Sequence, residues 1–180
     1  MAEISRCRTE SDFVIARQVV EEYAAWLDMD LGFQDFEAEL EGFSSVYGPP
    51  RGVFLLAWVD GEPAGGVGMR ELGAGVCEMK RLFVYDRFRG CGLGRRLCAA
   101  LVGEASRMGY TRMRLDTVAR LAAANRLYER MGFSDTGAYR YNPDPTARYM
   151  ELRLGQAGPP GRTGPPGSTG PPGRTGKEEA

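Results

Sequence analysis

The chain has 180 residues, 43% of them hydrophobic, and a formal net charge of −1 at pH 7, which suits one domain with a real core and gives no basic footprint for nucleic acid. Histidine is absent, and the four cysteines (Cys7, Cys77, Cys91, Cys98) show no CxxC spacing, so no metal site is expected and the cysteines read as reduced thiols in a cytoplasm. The N-terminal segment carries charges throughout, and no run approaches the roughly 18 apolar residues of a membrane span, which argues against a signal peptide and a membrane partner.

In chain order, residues 3–8 read as a short strand. Thr9 to Asp12 then reads as a capping segment for a helix reaching about Leu27, with Phe13, Ala16, Val20, Tyr23, Ala24 and Leu27 on one face. Phe33, Phe36, Leu40 and Phe43 mark a second helix, whose run of Asp35, Glu37, Glu39 and Glu41 reads as a solvated face. A loop over Tyr47–Gly52 precedes VFLLAWV as a buried strand, Asp60-Gly61 as a hairpin turn and Pro63–Arg70 as the partner strand. Val76–Val84 is the next strand, and its alternation predicts Glu78, Lys80, Leu82 and Val84 on one face. A helix to Met108 stopped by Gly109, a strand over Thr111–Asp116 and a short helix from Leu121 to Met131 ended by Gly132 follow. Phe133–Tyr141 and Ala147–Leu154 supply two further strands. The order is β α α β β β α β α β β, an α+β pattern with a mixed, mostly antiparallel sheet flanked by helices. From Gly155 to Gly176 glycine recurs with a strict period of three, so the chain divides into a domain over residues 1–154 and a collagen-like Gly-X-Y tail over 155–180 that is expected to be disordered or polyproline-like.

The sharpest chemical signal is the stretch EMKRLFVYDRFRGCGLGRRL, which passes from a strand through a glycine turn into a helix. Gly90, Gly92 and Gly94 permit positive φ and close approach of a ligand to the backbone. The free N–H groups of the helix start, with Arg89, Arg95 and Arg96 nearby, form a site for phosphate oxygens. A dinucleotide GxGxxG reading, with Asp116 as its acidic residue, is disfavoured because Arg95 stands where the third glycine belongs and because residues 85–89 intervene after Val84.

Arg89-x-x-Gly92-x-Gly94, preceded by EMKRLFV, resembles the pyrophosphate loop of the GNAT superfamily of acetyl-CoA-dependent N-acetyltransferases, and Leu127-Tyr128-Glu129-Arg130-Met131-Gly132-Phe133 is similar to its LYxxxGF block. The resemblance covers about residues 3–154. It implies acetyl-CoA as co-substrate without a metal, with Arg89, Gly90, Cys91, Gly92, Leu93, Gly94 and Arg95 at the pyrophosphate and the backbone around Leu82, Phe83 and Val84 holding the pantetheine arm and the acetyl carbonyl.

The resemblance also places Glu78 where some members carry a general base and Tyr128 where many carry the phenol that protonates the sulfur. The same residues read otherwise as a structural ion pair with an arginine and as a core-edge tyrosine. Where many members carry an asparagine seven residues before that tyrosine, this chain has Leu121, with Asn125 three residues before it instead. Cys91 reads as a space filler in the loop, since no histidine could activate it. Arg81, Tyr141 and Arg148 are drawn from a wider arginine and tyrosine cluster (Arg70, Tyr139, Arg140, Asn142) that suits a carboxylate-bearing amine, against a plainer reading as surface arginines. The expectation is an N-acetyltransferase acting on a primary amine of a small molecule by direct transfer, as a monomer or homodimer. A non-catalytic CoA-binding module and a scaffold trimerised by the tail are the alternatives.

Overall fold

The computed structural model describes residues 1–155, in which seven strands form one sheet in the order β1-β2-β3-β4-β5-β7-β6. The strands are β1 (Ala2–Arg6), β2 (Val53–Val59), β3 (Glu62–Gly73), β4 (Val76–Val84), β5 (Arg112–Thr117), β6 (Ser134–Asp135) and β7 (Arg148–Arg153); the helices are α1 (Glu10–Leu27), α2 (Phe36–Glu41), α3 (Phe43–Tyr47), α4 (Leu93–Arg107) and α5 (Ala122–Arg130). All neighbours pair antiparallel except β4 and β5, which run parallel because α4 crosses between them. The Gly-X-Y tail beyond Gly155 lies outside the described residues.

Helix α1 starts where its capping box says it should: Asp12 N–H donates to the Thr9 hydroxyl, and the Asp12 carboxylate accepts from Thr9 N–H. The expected second helix is two helices separated at Gly42, preceded by a 3₁₀ turn over Gly32–Gln34. Its acidic face is not uniformly solvated. Asp35, Glu37 and Glu41 are exposed, but Glu39 is only 3% exposed, because its carboxylate is needed inside. It accepts a fork from Arg81 (Nε 2.9 Å, Nη2 2.7 Å) and a bond from the Tyr47 hydroxyl at 2.6 Å. The strand expected over Phe133–Tyr141 is reduced to Ser134–Asp135, and the chain then runs as a loop to β7.

Two apolar clusters cover the sheet. On one face α4 and α5 bury Leu93, Leu97, Leu101 and Tyr128 against residues of β2 and β3 such as Leu55, Val67 and Met69; on the other, α1 and α3 bury Val19, Val20, Phe43 and Tyr47 against Phe54 and Leu56. Strand β4 serves both clusters, and its alternation is interrupted. Gly66 pairs with Phe83 while Gly68 pairs with Lys80, so β4 carries an extra residue, and Arg81 there has φ of 60°. The bulge shifts the phase by one. Glu78, Lys80, Arg81 and Phe83 therefore serve the α1–α3 side, and Leu82 and Val84 pack with α4, so the single face expected for Glu78, Lys80, Leu82 and Val84 does not exist.

Candidate active site

Strands β4 and β5 pair only through Val76–Glu78 and Arg112–Arg114, and beyond that point they part. The gap exposes β5-facing backbone groups of the second half of β4 and opens into a cavity of about 600 Å³. It is lined by residues 79–84 of β4, by Trp26, Leu27, Met29, Leu31 and Gln34 at the end of α1 and in the segment after it, and by Thr117, Val118, Leu121, Leu127 and Tyr128 at and after the end of β5, with Asn142 from the loop before β7.

At one end of the cavity lies the glycine loop. Gly90 and Gly92 have φ of 82° and 80°, and a Cβ built on either would meet nothing within 4 Å, so the loop turns in the left-handed region and leaves open space over its backbone. Gly92 caps α4, and the first intrahelical bond is Arg96 N–H to Gly92 C=O. The N–H groups of Leu93, Gly94 and Arg95 thus stand free at the positive end of a helix of 15 residues. Arg89 braces the loop, donating to Val84 C=O at 2.9 Å, pairing with Asp86 at 2.7 Å and lying over Trp26 at 4.6 Å. Arg95 lines the cavity, whereas Cys91 does not; its thiol donates to Phe88 C=O at 2.9 Å. A cradle of free N–H groups, open space and arginine fits a pyrophosphate.

Further in, Tyr128 lines the cavity, 7% exposed, and its hydroxyl has no hydrogen-bond partner among the described residues. Burial first, then the Cys98, Tyr23 and Asp116 groups, push its pKa well above the usual phenol value, so it keeps its proton. Asn125 is absent from the wall. It accepts from the Thr117 hydroxyl at 2.7 Å and donates to Val118 C=O at 3.0 Å, bracing the turn into α5, while Leu121 occupies the lining position.

Glu78 is elsewhere. It is 0% exposed and does not line the cavity; Arg70 Nε donates to its Oε2 at 2.8 Å, and the Tyr139 hydroxyl donates to its Oε1 at 3.0 Å. Arg140 Nη1 lies 3.2 Å from Oε1, close enough for ion pairing but outside hydrogen-bond geometry. The geometry runs against a base role, since both oxygens are engaged by these side chains and the residue does not line the cavity. The three residues expected at the acceptor are not brought together. Arg81 lines the cavity but its guanidinium is held by Glu39, Tyr141 is 74% exposed away from the wall, and Arg148 is bound to Asp135 and Glu129.

What the sequence did not single out is a polar chain across the cleft. Lys80 Nζ donates to Gln34 Oε1 at 3.1 Å, Gln34 Nε2 donates to Asp116 Oδ2 at 3.2 Å, and Asn142 Nδ2 donates to the same oxygen at 2.9 Å. These residues lie on the 3₁₀ turn, β4, β5 and the loop before β7, so no local spacing links them. All four line the cavity.

The Acetyltransferase (GNAT) family profile matches residues 16–133. The chain belongs to the GNAT family. An uncharacterized N-acetyltransferase of Schizosaccharomyces pombe is 38% identical over 153 residues, covering 84% of this chain and 94% of that protein. A solved structure from Klebsiella pneumoniae, assigned as an acyl-CoA N-acyltransferase, shares 28% identity at a TM-score of 0.67 and covers 86% of this chain and 98% of its own. The yncA structure of Salmonella typhimurium, solved with its cofactor acetyl-CoA, shares the fold at a TM-score of 0.63 with 19% identity over 89% of this chain and 99% of its own. The GNAT chain described here is an acyl-CoA-dependent N-acyltransferase, and it shares its fold with these two solved structures. No described helix is long and apolar enough to cross a membrane.

Proposed function

We propose that the protein transfers the acetyl group of acetyl-CoA to the primary amine of a small molecule, directly and within a ternary complex, and that Tyr128 supplies the proton that the departing sulfur needs. The observation that carries this reading is that one cavity of about 600 Å³ is lined at once by the glycine loop, by Tyr128 and by the polar chain of Lys80, Gln34, Asp116 and Asn142. The glycine loop suits a diphosphate and the polar chain an acceptor, and Tyr128 lines the same space. The cavity as a whole, about 600 Å³, lies in the range of small-molecule sites.

In this reading the N–H groups of Leu93, Gly94 and Arg95 and the Arg95 guanidinium hold the pyrophosphate, and the open backbone of Leu82–Val84 orients the pantetheine arm. Acetyl-CoA supplies an acetyl thioester. Tyr128 enters the reaction protonated, because burial keeps it so, and its unpartnered hydroxyl is available to the sulfur. Glu78, enclosed by Arg70, Tyr139 and Arg140, ties the segment before β7 to β4 away from the cavity.

Thermal unfolding with and without nucleotides tests the cofactor half. Acetyl-CoA at a hundredfold over its dissociation constant should stabilise the protein by about 2.7 kcal/mol, and NAD should not. Gly92→Val should remove that shift, since φ of 80° disfavours a branched side chain there and its methyl groups would fill the open space above Gly92. Equal stabilisation by NAD would return the glycine loop to a dinucleotide reading.

A further inference from the structure

Six cationic side chains line the cavity (Lys80, Arg81, Arg89, Arg95, Arg120 and Arg130), and among the described residues one carboxylate does, that of Asp116. Asp116 sits near the end of β5, past the point where β4 and β5 part and the cleft opens. Two neutral amides from different elements converge on its Oδ2, Gln34 at 3.2 Å and Asn142 at 2.9 Å. Its Oδ1 accepts no hydrogen bond from a described residue and is not among the buried polar atoms left without a partner, so it keeps some exposure on a residue that lines the cavity. The contrast with Glu78 is chemical. Glu78 is faced by two guanidinium groups and closed off, while Asp116 is aimed by uncharged donors and keeps one oxygen accessible.

We propose that Asp116 is the catalytic residue that receives the acceptor: its free oxygen binds the incoming amine as an ammonium ion and takes the proton that must leave before the nitrogen can attack. Gln34 and Asn142 are positioning residues that fix the orientation of the carboxylate. The inference rests on the acetyltransferase reading and adds the proton acceptor that reading lacked. The step balances. One ammonium proton passes to Asp116 and leaves to solvent; the neutral nitrogen forms the C–N bond to the acetyl carbon as the C–S bond breaks. Tyr128 gives its proton to the sulfur, and the second nitrogen proton restores the phenol. A desolvated ammonium needs a counter-charge in a cavity otherwise lined by cations, and Asp116 is the group that provides it.

The test compares Asp116→Asn with wild type on two acceptors found by CoA release, an alkylamine protonated at the assay pH and an arylamine or hydrazine that is already neutral. The proposal predicts a fall in kcat/KM of about 100- to 10,000-fold for the alkylamine and less than about tenfold for the neutral acceptor, with the acetyl-CoA thermal shift retained. Equal losses on both acceptors would mean that Asp116 only holds the cleft together, and would overturn the proposal. Gln34→Ala should cost far less than Asp116→Asn, because it removes one aiming bond and leaves the carboxylate; equal damage would also overturn it. If wild type releases no CoA with any amine, the transferase reading has failed. The amine proposal is then read separately, from the thermal shift that alkylammonium ligands give to the CoA complex. Its loss in Asp116→Asn supports the site, and its persistence sinks it.

Discussion

Lys80 offers a prediction whose size follows from its surroundings. It is one of two lysines in the chain, is 5% exposed, and burial followed by the Arg81 charge pulls its pKa down from 10.5 to about 7, against the opposing carboxylates of Glu78 and Glu39. At 1.36 kcal/mol per pKa unit, the folded state bears about 5 kcal/mol for holding this ammonium. The sign follows from linkage. Below about pH 7 the side chain is charged in both folded and unfolded chains and the cost is borne in full. Between about 7 and 10.5 the unfolded chain holds a proton that the folded chain has lost, so stability rises with pH; above 10.5 the cost has gone. Lys80→Met keeps the length of the side chain and removes the charge, leaving Gln34 Oε1 without its donor at a cost of about 1 kcal/mol. The variant should therefore be more stable than wild type by about 3 kcal/mol at pH 7, shrinking to about 1 kcal/mol at pH 9. Urea unfolding of both proteins across pH 6–10 measures the difference and cancels groups common to both. A variant less stable than wild type at pH 7, or a gap that does not change with pH, would refute the argument.

Other outcomes follow from the same contacts. Glu39→Ala leaves the Arg81 guanidinium buried and unpaired, and chemical denaturation should show a loss of about 3 to 5 kcal/mol. Tyr128→Phe removes a hydroxyl that bonds to no described residue, so the melting temperature should hardly move while kcat falls by about 100-fold or more; a change below about threefold would remove Tyr128 from the chemistry. A chain ending at Leu154 should keep its melting temperature and turnover, and loss of a trimer on truncation, seen by light scattering, would favour the scaffold role for the tail.

The parts of this architecture that rest on local rules could be read directly. The Thr9 capping box, the Asp60-Gly61 hairpin and the glycine start of α4 each use residues a few positions apart, and the sequence places them within a residue or two. The bulge at Arg81 could not be read that way, since the guanidinium there is held by the buried Glu39, a partner 42 residues away. The same distance hid the polar chain across the cleft. Gln34 and Asp116 are 82 residues apart, and an aspartate closing a strand gives no sign that two amides will meet it. The arginine cluster misled for a related reason: composition shows how many guanidinium groups exist, but only the fold shows that Glu39, Glu129 and Asp135 already hold Arg81 and Arg148. Glu78 was correctly paired with an arginine in one of its two readings, and the additional cover from Tyr139 and Arg140 depends on the loop that replaces the strand expected there.

The central claim is that one cavity holds an acetyl donor and an amine acceptor together. Steady-state CoA release measured over a grid of acetyl-CoA and amine concentrations, with the acetylated amine confirmed by mass, tests it most directly. Direct transfer predicts intersecting double-reciprocal lines and one acetylated amine for each CoA released. Parallel lines, with an acetylated protein isolated in the absence of amine, would contradict it.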